Sequence, residues 1–158
     1  MNTRFFSLTM IAAGLLVAVS GAQAQDLMLQ VDRDTGEFSL TGAGATVVDL
    51  AGYLIESQNE SIDTLSFNGL RDTEAGWVEA GISSAGSVAE LLSNGNPLAS
   101  TPINDTISYS LGIGYSPPAP TEFGTDVEVG DLSITYYDTL LDETRDGVVE
   151  YLGEKIYN

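Results

Sequence analysis

Apolar and polar residues alternate in two short segments of the chain, at residues 27–31 and 37–41. In the first segment the first, third and fifth residues are apolar, and in the second the second and fourth are. A period of two indicates a half-buried strand, because successive side chains point to opposite faces of a sheet. Residues 32–36 between them contain the Asp, Thr and Gly typical of a turn. The pattern predicts a β-hairpin over residues 27–41.

The alternation returns in the last third of the chain. Residues 106–115 alternate Ile, Tyr and Leu with Ser and Gly, and residues 131–137 place Leu, Ile and Tyr on one side. The mostly apolar sequence of residues 148–152 predicts a closing strand. Two further extended segments are expected at residues 46–50 and 53–56, on either side of an Ala-Gly break.

The middle of the chain is less regular. Residues 64–67 favour a short strand. Residues 87–92 favour a short helix, because Ser87 stands at an N-cap position and Glu90 completes a capping-box pattern. Asn-Gly at residues 94–95 would end that helix.

Short strands joined by turns rich in Gly, Pro, Asn and Asp are typical of a β-sandwich. The expected fold is all-β: an antiparallel immunoglobulin-like or jelly-roll-like sandwich with at most one short helix. The chain has 158 residues, which suits one domain better than two. We assign residues 25–158 to that single domain.

The N-terminal segment, residues 1–24, has the features of a secretory signal peptide. Arg4 supplies a positive charge, residues 8–19 are apolar, and Ala-Gln-Ala at residues 22–24 resembles a cleavage site. The alternative is an uncleaved membrane anchor, but the apolar run is shorter than the roughly 20 residues that span a bilayer. The expected location is therefore outside the cytoplasm: extracellular, periplasmic or in the cell envelope, with no transmembrane segment after cleavage.

Composition excludes several classes of chemistry. The chain has 23 acidic and 5 basic residues, a net charge of −18, no His and no Cys. Binding of nucleic acid needs a Lys- and Arg-rich surface, and catalytic triads, thiolates and zinc–thiolate sites need His or Cys. We therefore expect a non-catalytic secreted protein that acts by binding or assembly. A carbohydrate-binding or calcium-dependent adhesion module is the alternative, and a small glycan-active enzyme that uses two carboxylates is less favoured.

Calcium is the cofactor that an acidic chain of this kind could hold, because calcium prefers carboxylate and carbonyl oxygens from closely spaced loop residues. Asp32 and Asp34 have the spacing of such a loop, but they also suit a hairpin turn. Two further acidic loops precede the last strands, and solvated loops are their alternative interpretation. Their acidic residues are Asp126, Glu128 and Asp131 in one loop, and Asp138, Asp142, Glu143 and Asp146 in the other.

A glycan is a candidate partner, because carbohydrate-binding sandwiches stack sugar rings on exposed aromatic side chains. Trp77 and Tyr137 are the candidate stacking residues. Tyr137 falls on the polar phase of its strand, and Trp77 lies in a segment without alternation. The alternative for Trp77 is a place in the core, where large aromatic residues are usually found. Another extracellular or envelope protein is the other candidate partner.

Residues 27–57 resemble the start of a group of secreted bacterial modules. Those modules open with an LxLxVNxxTGxVxIxN hairpin, continue with VxIDGYxIxS, and often carry a PEP-CTERM sorting tail. The step Val-Asp-Leu-Ala-Gly-Tyr at residues 48–53 is also similar to the VDLSGW step of lamin-tail-like domains, which are immunoglobulin-like sandwiches. The chain departs from these patterns at Thr41, at Tyr53 and in residues 151–158, which have no sorting-tail motif. The resemblance implies an extracellular β-sandwich, released or held by contacts, without an established activity.

Overall fold

The computed structural model describes residues 26–93, 99–116 and 130–153. These residues form ten strands and, apart from one 3-10 turn at Leu70–Asp72, no helix. The fold is therefore all-β, as the sequence predicts. The strands β1 to β10 are, in order, Leu27–Asp32, Glu37–Gly42, Val48–Ser57, Trp77–Glu79, Ser87–Leu92, Thr101–Ile103, Tyr109–Ile113, Leu132–Asp138, Glu143–Asp146 and Val148–Leu152.

The strands form two sheets that pack face to face as a sandwich. One sheet has four strands in the order β10-β1-β2-β7. The other has six: its order is β4-β5-β3-β8-β9, and β6 also pairs with β3. The alternating apolar residues of both sheets meet between them and exclude water. The buried residues that both sheets contribute include Leu27, Leu29, Val31, Phe38, Leu40, Leu50, Ile55, Val88, Ile134 and Tyr136.

The predicted hairpin over residues 27–41 is confirmed. Strands β1 and β2 pair antiparallel, with Leu29 opposite Leu40 and Val31 opposite Phe38. The turn closes at Gly36, whose φ of 78° lies in the left-handed region that a side chain disfavours. A Cβ there would also lie 2.6 Å from the Tyr115 carbonyl oxygen, so this turn needs glycine.

Strand β3 is the centre of the six-stranded sheet. It pairs with β8 along one edge, and with β5 and β6 along the other. The Ala-Gly break expected between residues 46–50 and 53–56 does not interrupt the strand. It is instead a shift of register against β8 between Leu50 and Gly52, which is a β-bulge.

The short helix predicted over residues 87–92 is wrong, because these residues form strand β5. Tyr53 of β3 lies opposite Glu90, and Val78 of β4 lies opposite Leu91. The capping-box pattern favours a helix locally, but pairing with strands on both sides satisfies more backbone groups and buries Val88. The strand predicted at residues 64–67 is also wrong: it is a turn, with a single bridge at Phe67.

The strands predicted in the last third are present, with shorter bounds in one case. Residues 106–115 contain β7 only at Tyr109–Ile113, and residues 131–137 correspond to β8. The closing strand β10 joins β1 in parallel, whereas every other pairing of the described strands is antiparallel. The chain passes from one sheet to the other at Gly147, where a Cβ would lie 2.8 Å from both Ile134 and the Leu27 carbonyl oxygen.

Three of the sequence predictions lie outside the described residues. These are the signal peptide at residues 1–24, the end of the helix at residues 94–95, and the candidate calcium residues Asp126 and Glu128. Within the described part, no helix is long and apolar enough to cross a membrane.

Candidate functional site

The outer face of the four-stranded sheet carries polar residues along its strands and two exposed apolar residues on its edge strands, Ile113 of β7 and Leu152 of β10. Gln30 of β1 donates a hydrogen bond of 2.9 Å to Glu150 of β10. Ser110 of β7 donates one of 2.6 Å to Glu37 of β2. The polar side chains of this face are thus hydrogen-bonded between neighbouring strands.

A row of neighbouring residues, most of them apolar, crosses the outer face of the six-stranded sheet. The register places Val78, Leu91, Gly52, Tyr137 and Thr144 side by side on β4, β5, β3, β8 and β9. Val78 is 42% exposed, Leu91 is 41% exposed and Tyr137 is 36% exposed. We call these five residues the apolar row.

A shallow groove of about 240 Å³ lies at the centre of the apolar row. Its side-chain lining includes Leu54, Thr135, Tyr137 and Thr144, and Gly52 leaves the gap between them. A Cβ at Gly52 would meet its nearest neighbour, the Glu90 carbonyl oxygen, at 3.5 Å, an ordinary contact. Glycine is therefore not required there by packing, and its effect is to leave the surface open.

Two carboxylates lie at the rim of this groove. The Tyr137 hydroxyl donates a hydrogen bond to Asp142, and this hydrogen bond raises the pKa of Tyr137. The Thr135 hydroxyl donates a hydrogen bond of 3.5 Å to Asp146. Asp142 closes the β8–β9 turn with a φ of 54°. The groove is thus apolar in its lining and negatively charged at its rim.

The two predicted sugar-stacking residues lie on opposite faces of the six-stranded sheet. Tyr137 is on the outer face, as its phase predicts. Trp77 is only 4% exposed, with its ring centroid 5.8 Å from that of Tyr53. Its Nε1 donates a hydrogen bond of 2.9 Å to the Thr101 hydroxyl. Trp77 is therefore a core residue here, with no ring face open to a sugar.

The predicted calcium residues of the hairpin cap its turn. Asp32 Oδ1 accepts hydrogen bonds of 2.9 Å from the Asp34 amide and 3.2 Å from the Thr35 amide. The Asp34 carboxylate lies against Gly153, where a Cβ would come within 2.6 Å of it. This geometry is that of an Asx turn, the alternative that the sequence left open.

The other predicted calcium residues point in different directions. Asp138 is 2% exposed and accepts a hydrogen bond of 2.9 Å from the Leu140 amide, whereas Asp142 and Asp146 lie at the groove rim. Among the described residues, no three Asp, Glu, His or Cys side chains gather so that they could hold a metal ion. Asp126 and Glu128 lie outside the described residues.

Asp131, from the same predicted acidic loop, is buried, and its carboxylate is hydrogen-bonded to hydroxyl groups. It accepts hydrogen bonds from the Ser57 hydroxyl at 3.0 Å, from the Asn59 amide at 2.8 Å and from the Ser61 hydroxyl. No histidine exists to activate either serine. The cluster fixes the loop after β3 against the start of β8, and we assign it a structural role.

A buried carboxylate at Glu90 was not predicted from the sequence. Its Oε2 accepts hydrogen bonds from the Tyr53 hydroxyl at 2.6 Å, from the Leu70 amide at 2.7 Å and from the Arg71 amide at 3.2 Å. Its Oε1 has no hydrogen-bond partner, although it lies 3.7 Å from Arg71 Nε. Burial raises the pKa of Glu90, and burial beside Glu90 raises that of Tyr53.

Glu90 ties the 3-10 turn to the sheet and lies on the inner side, away from the groove. Gly69, before that turn, has a φ of 69°, and a Cβ there would lie 2.0 Å from Glu90 Oε1. One signal in the sequence could have indicated this arrangement, namely the glycine before the turn, because residues 87–92 do not alternate apolar with polar residues.

Comparison of the chain with family models, with curated proteins and with solved structures finds no match. The arrangement of the described side chains is therefore what a functional proposal depends on.

Proposed function

We propose that this protein is a non-catalytic binding protein of the extracellular space or cell envelope, and that it binds through the apolar row. The observation that carries the proposal is that exposed apolar side chains lie side by side along the apolar row, beside an open groove. Val78, Leu91 and Tyr137 are exposed in this row, whereas the exposed apolar residues of the other outer face, Ile113 and Leu152, lie on opposite edge strands of its sheet. Adjacent apolar groups on a soluble surface are unfavourable in water, and in proteins they commonly mark an interaction surface.

The order of the strands supports an immunoglobulin-like sandwich. In that fold, strands A, B and E are neighbours in one sheet, and C, F and G are neighbours in the other, with C′ and C″ added in variable-type domains. Here β1, β2 and β7 are neighbours, as are β3, β8 and β9, and β5 and β4 extend beyond β3. The apolar row then crosses the face equivalent to the C–F–G sheet. The signal-peptide features of residues 1–24 support export.

The proposal is tested by removing the apolar row without disturbing the core. We expect the Val78→Ser/Leu91→Ser variant to be retained about tenfold less by the envelope and matrix fraction of the cells that secrete it, because apolar contacts at an interface centre contribute about 1 kcal/mol or more. Retention is measured by sedimentation and immunoblotting. Its melting temperature should stay close to that of the wild type, because both side chains are already exposed.

Met28→Ser is the matched control, because Met28 is a half-buried apolar residue on the outward phase of the four-stranded sheet. Equal retention of the wild type and the double variant would refute the proposed binding face. Equal loss in the Met28 variant would show that the effect is not specific to that face.

Carbohydrate binding is the second candidate function, favoured by the exposed ring of Tyr137 beside the groove. If it operates, Tyr137→Ala should abolish any signal on a glycan array, because a stacked ring contributes most of the apolar contact. The array is run with calcium and with chelator, which separates a calcium-dependent adhesion module from a calcium-independent one. Binding that survives Tyr137→Ala would place the sugar elsewhere.

A further inference from the structure

We propose that the groove at Gly52 receives an arginine side chain from a positively charged partner protein. This inference rests on the proposed binding face and names the chemistry of its partner. It follows from three features of the groove: its charge, its lining and its aromatic wall.

The charge of the chain favours a basic partner. The net charge is −18, and the described arginines nearest this sheet are already paired. Arg71 lies 2.8 Å from Glu79, and Arg145, which is 8% exposed, lies 2.7 Å from Asp26. A second copy of the chain, or an anionic glycan, would therefore meet like charge on this face. A cationic partner is attracted over a long range and oriented on approach.

The lining of the groove suits the stem of an arginine. Leu54 and the open backbone at Gly52 offer apolar surface to three methylene groups, which long charged side chains bury readily while the charged end stays in water. A fully polar ligand would find few partners inside the groove, because the polar groups lie at its rim.

The wall and rim of the groove suit the guanidinium group. A guanidinium over the Tyr137 ring gains a cation–π interaction. Asp142 and Asp146 accept hydrogen bonds from Tyr137 and Thr135, so both carboxylates are held beside the groove. A planar guanidinium can stack on the ring and donate hydrogen bonds to a carboxylate at the same time, which a lysine ammonium cannot do as well. Arginine is therefore the favoured residue.

The inference is tested by nuclear magnetic resonance on the ¹⁵N-labelled protein, with butylguanidinium as the probe. We expect saturable shifts of the backbone amides of Gly52, Leu54, Thr135 and Tyr137. Guanidinium chloride, which lacks the alkyl stem, should give no saturable shift at the same concentration. Gly52→Ala should weaken the binding of butylguanidinium about fourfold, because its methyl group occupies the space of about one buried methylene. Asp142→Asn should weaken it about threefold.

Ser133→Ala is the matched control, since Ser133 is exposed on the same face of β8 but outside the groove. Shifts spread over the whole acidic surface, or affinity unchanged by Gly52→Ala, would overturn the inference. Saturable shifts of these amides with a methyl glycoside, and none with butylguanidinium, would also overturn it. If it fails while the Val78→Ser/Leu91→Ser variant still loses retention, the binding face stands. If both fail, the proposed function falls as well.

Discussion

The carboxylate of Glu90 lies among core residues of the six-stranded sheet, where an ionised group is unfavourable unless it is hydrogen-bonded. One oxygen accepts three hydrogen bonds, from Tyr53, Leu70 and Arg71, and the other accepts none. Burial outweighs those three bonds, so the pKa of Glu90 is raised. At the scale of the residue, Glu90 is thus a buried carboxyl group whose surroundings differ strongly from water.

The raised pKa of Glu90 predicts how the free energy of unfolding changes with pH. A carboxyl group with a higher pKa in the folded state than in the unfolded state holds its proton more tightly when folded. The contribution of Glu90 to the free energy of unfolding is therefore full below its unfolded pKa and is lost as the pH rises through its folded pKa. We expect Glu90→Gln to remove this contribution to the pH dependence of the free energy of unfolding. The dependence is measured by urea unfolding at a series of pH values.

Glu79→Gln is the control with the opposite sign. Hydrogen bonds from Ser83 lower the pKa of Glu79, so its contribution is present above its unfolded pKa and is lost as the pH falls through its folded pKa. The two variants should change the slope of stability against pH in opposite directions. An identical slope in the wild type and the Glu90 variant would contradict the assignment of a buried, protonatable carboxyl at that position.

At the scale of the element, strand β5 shows where local pattern and tertiary pairing disagree. Ser87 and Glu90 have the spacing of a capping box, which favours a helix. Val88 and Glu90 face inward while Leu91 faces outward, so a charged residue is buried and an apolar one is exposed. The sequence of β5 therefore lacks the alternation of apolar and polar residues that indicates a strand. The hairpin of residues 27–41 was predictable because its alternation, its turn residues and its glycine all favour the same structure. Agreement between these local signals separates the correct prediction from the wrong one.

The strand assignment of β5 is tested by two alanine variants. A helix N-cap serine stabilises by about 1 kcal/mol, whereas an outward serine in a strand contributes little. We therefore expect Ser87→Ala to change the free energy of unfolding by less than about 0.5 kcal/mol. Val88→Ala should cost about 2 kcal/mol, because Val88 is buried and its loss leaves a cavity. A cost near 1 kcal/mol for Ser87→Ala, measured by urea unfolding, would favour the helix.

At the scale of the whole molecule, the excess of acidic residues is the dominant electrostatic feature. A net charge of −18 keeps the chain soluble and destabilises the compact state by repulsion. Salt screens that repulsion, since the Debye length falls to about 3 Å at 1 M. We expect the free energy of unfolding to rise with sodium chloride up to about 1 M. A flat or falling dependence would show that repulsion is not limiting.

The calcium hypothesis is tested by comparing the melting temperature of the chain in calcium chloride and in magnesium chloride. Calcium and magnesium chloride at equal ionic strength screen equally, so a larger rise in melting temperature with calcium requires a specific site. The described carboxylates form no such site, which leaves Asp126 and Glu128 as untested ligands. Equal effects of the two cations would remove calcium as a cofactor.

The sequence by itself determined the all-β class, the first hairpin and the exclusion of chemistry that needs His or Cys, because these follow from local alternation and composition. It also placed Tyr137 on an outward face. Only the tertiary structure decided that β5 is a strand, that Trp77 is in the core and that β10 runs parallel to β1. The groove at Gly52 likewise exists only once β3, β5 and β8 are aligned, because register between distant segments sets which side chains become neighbours.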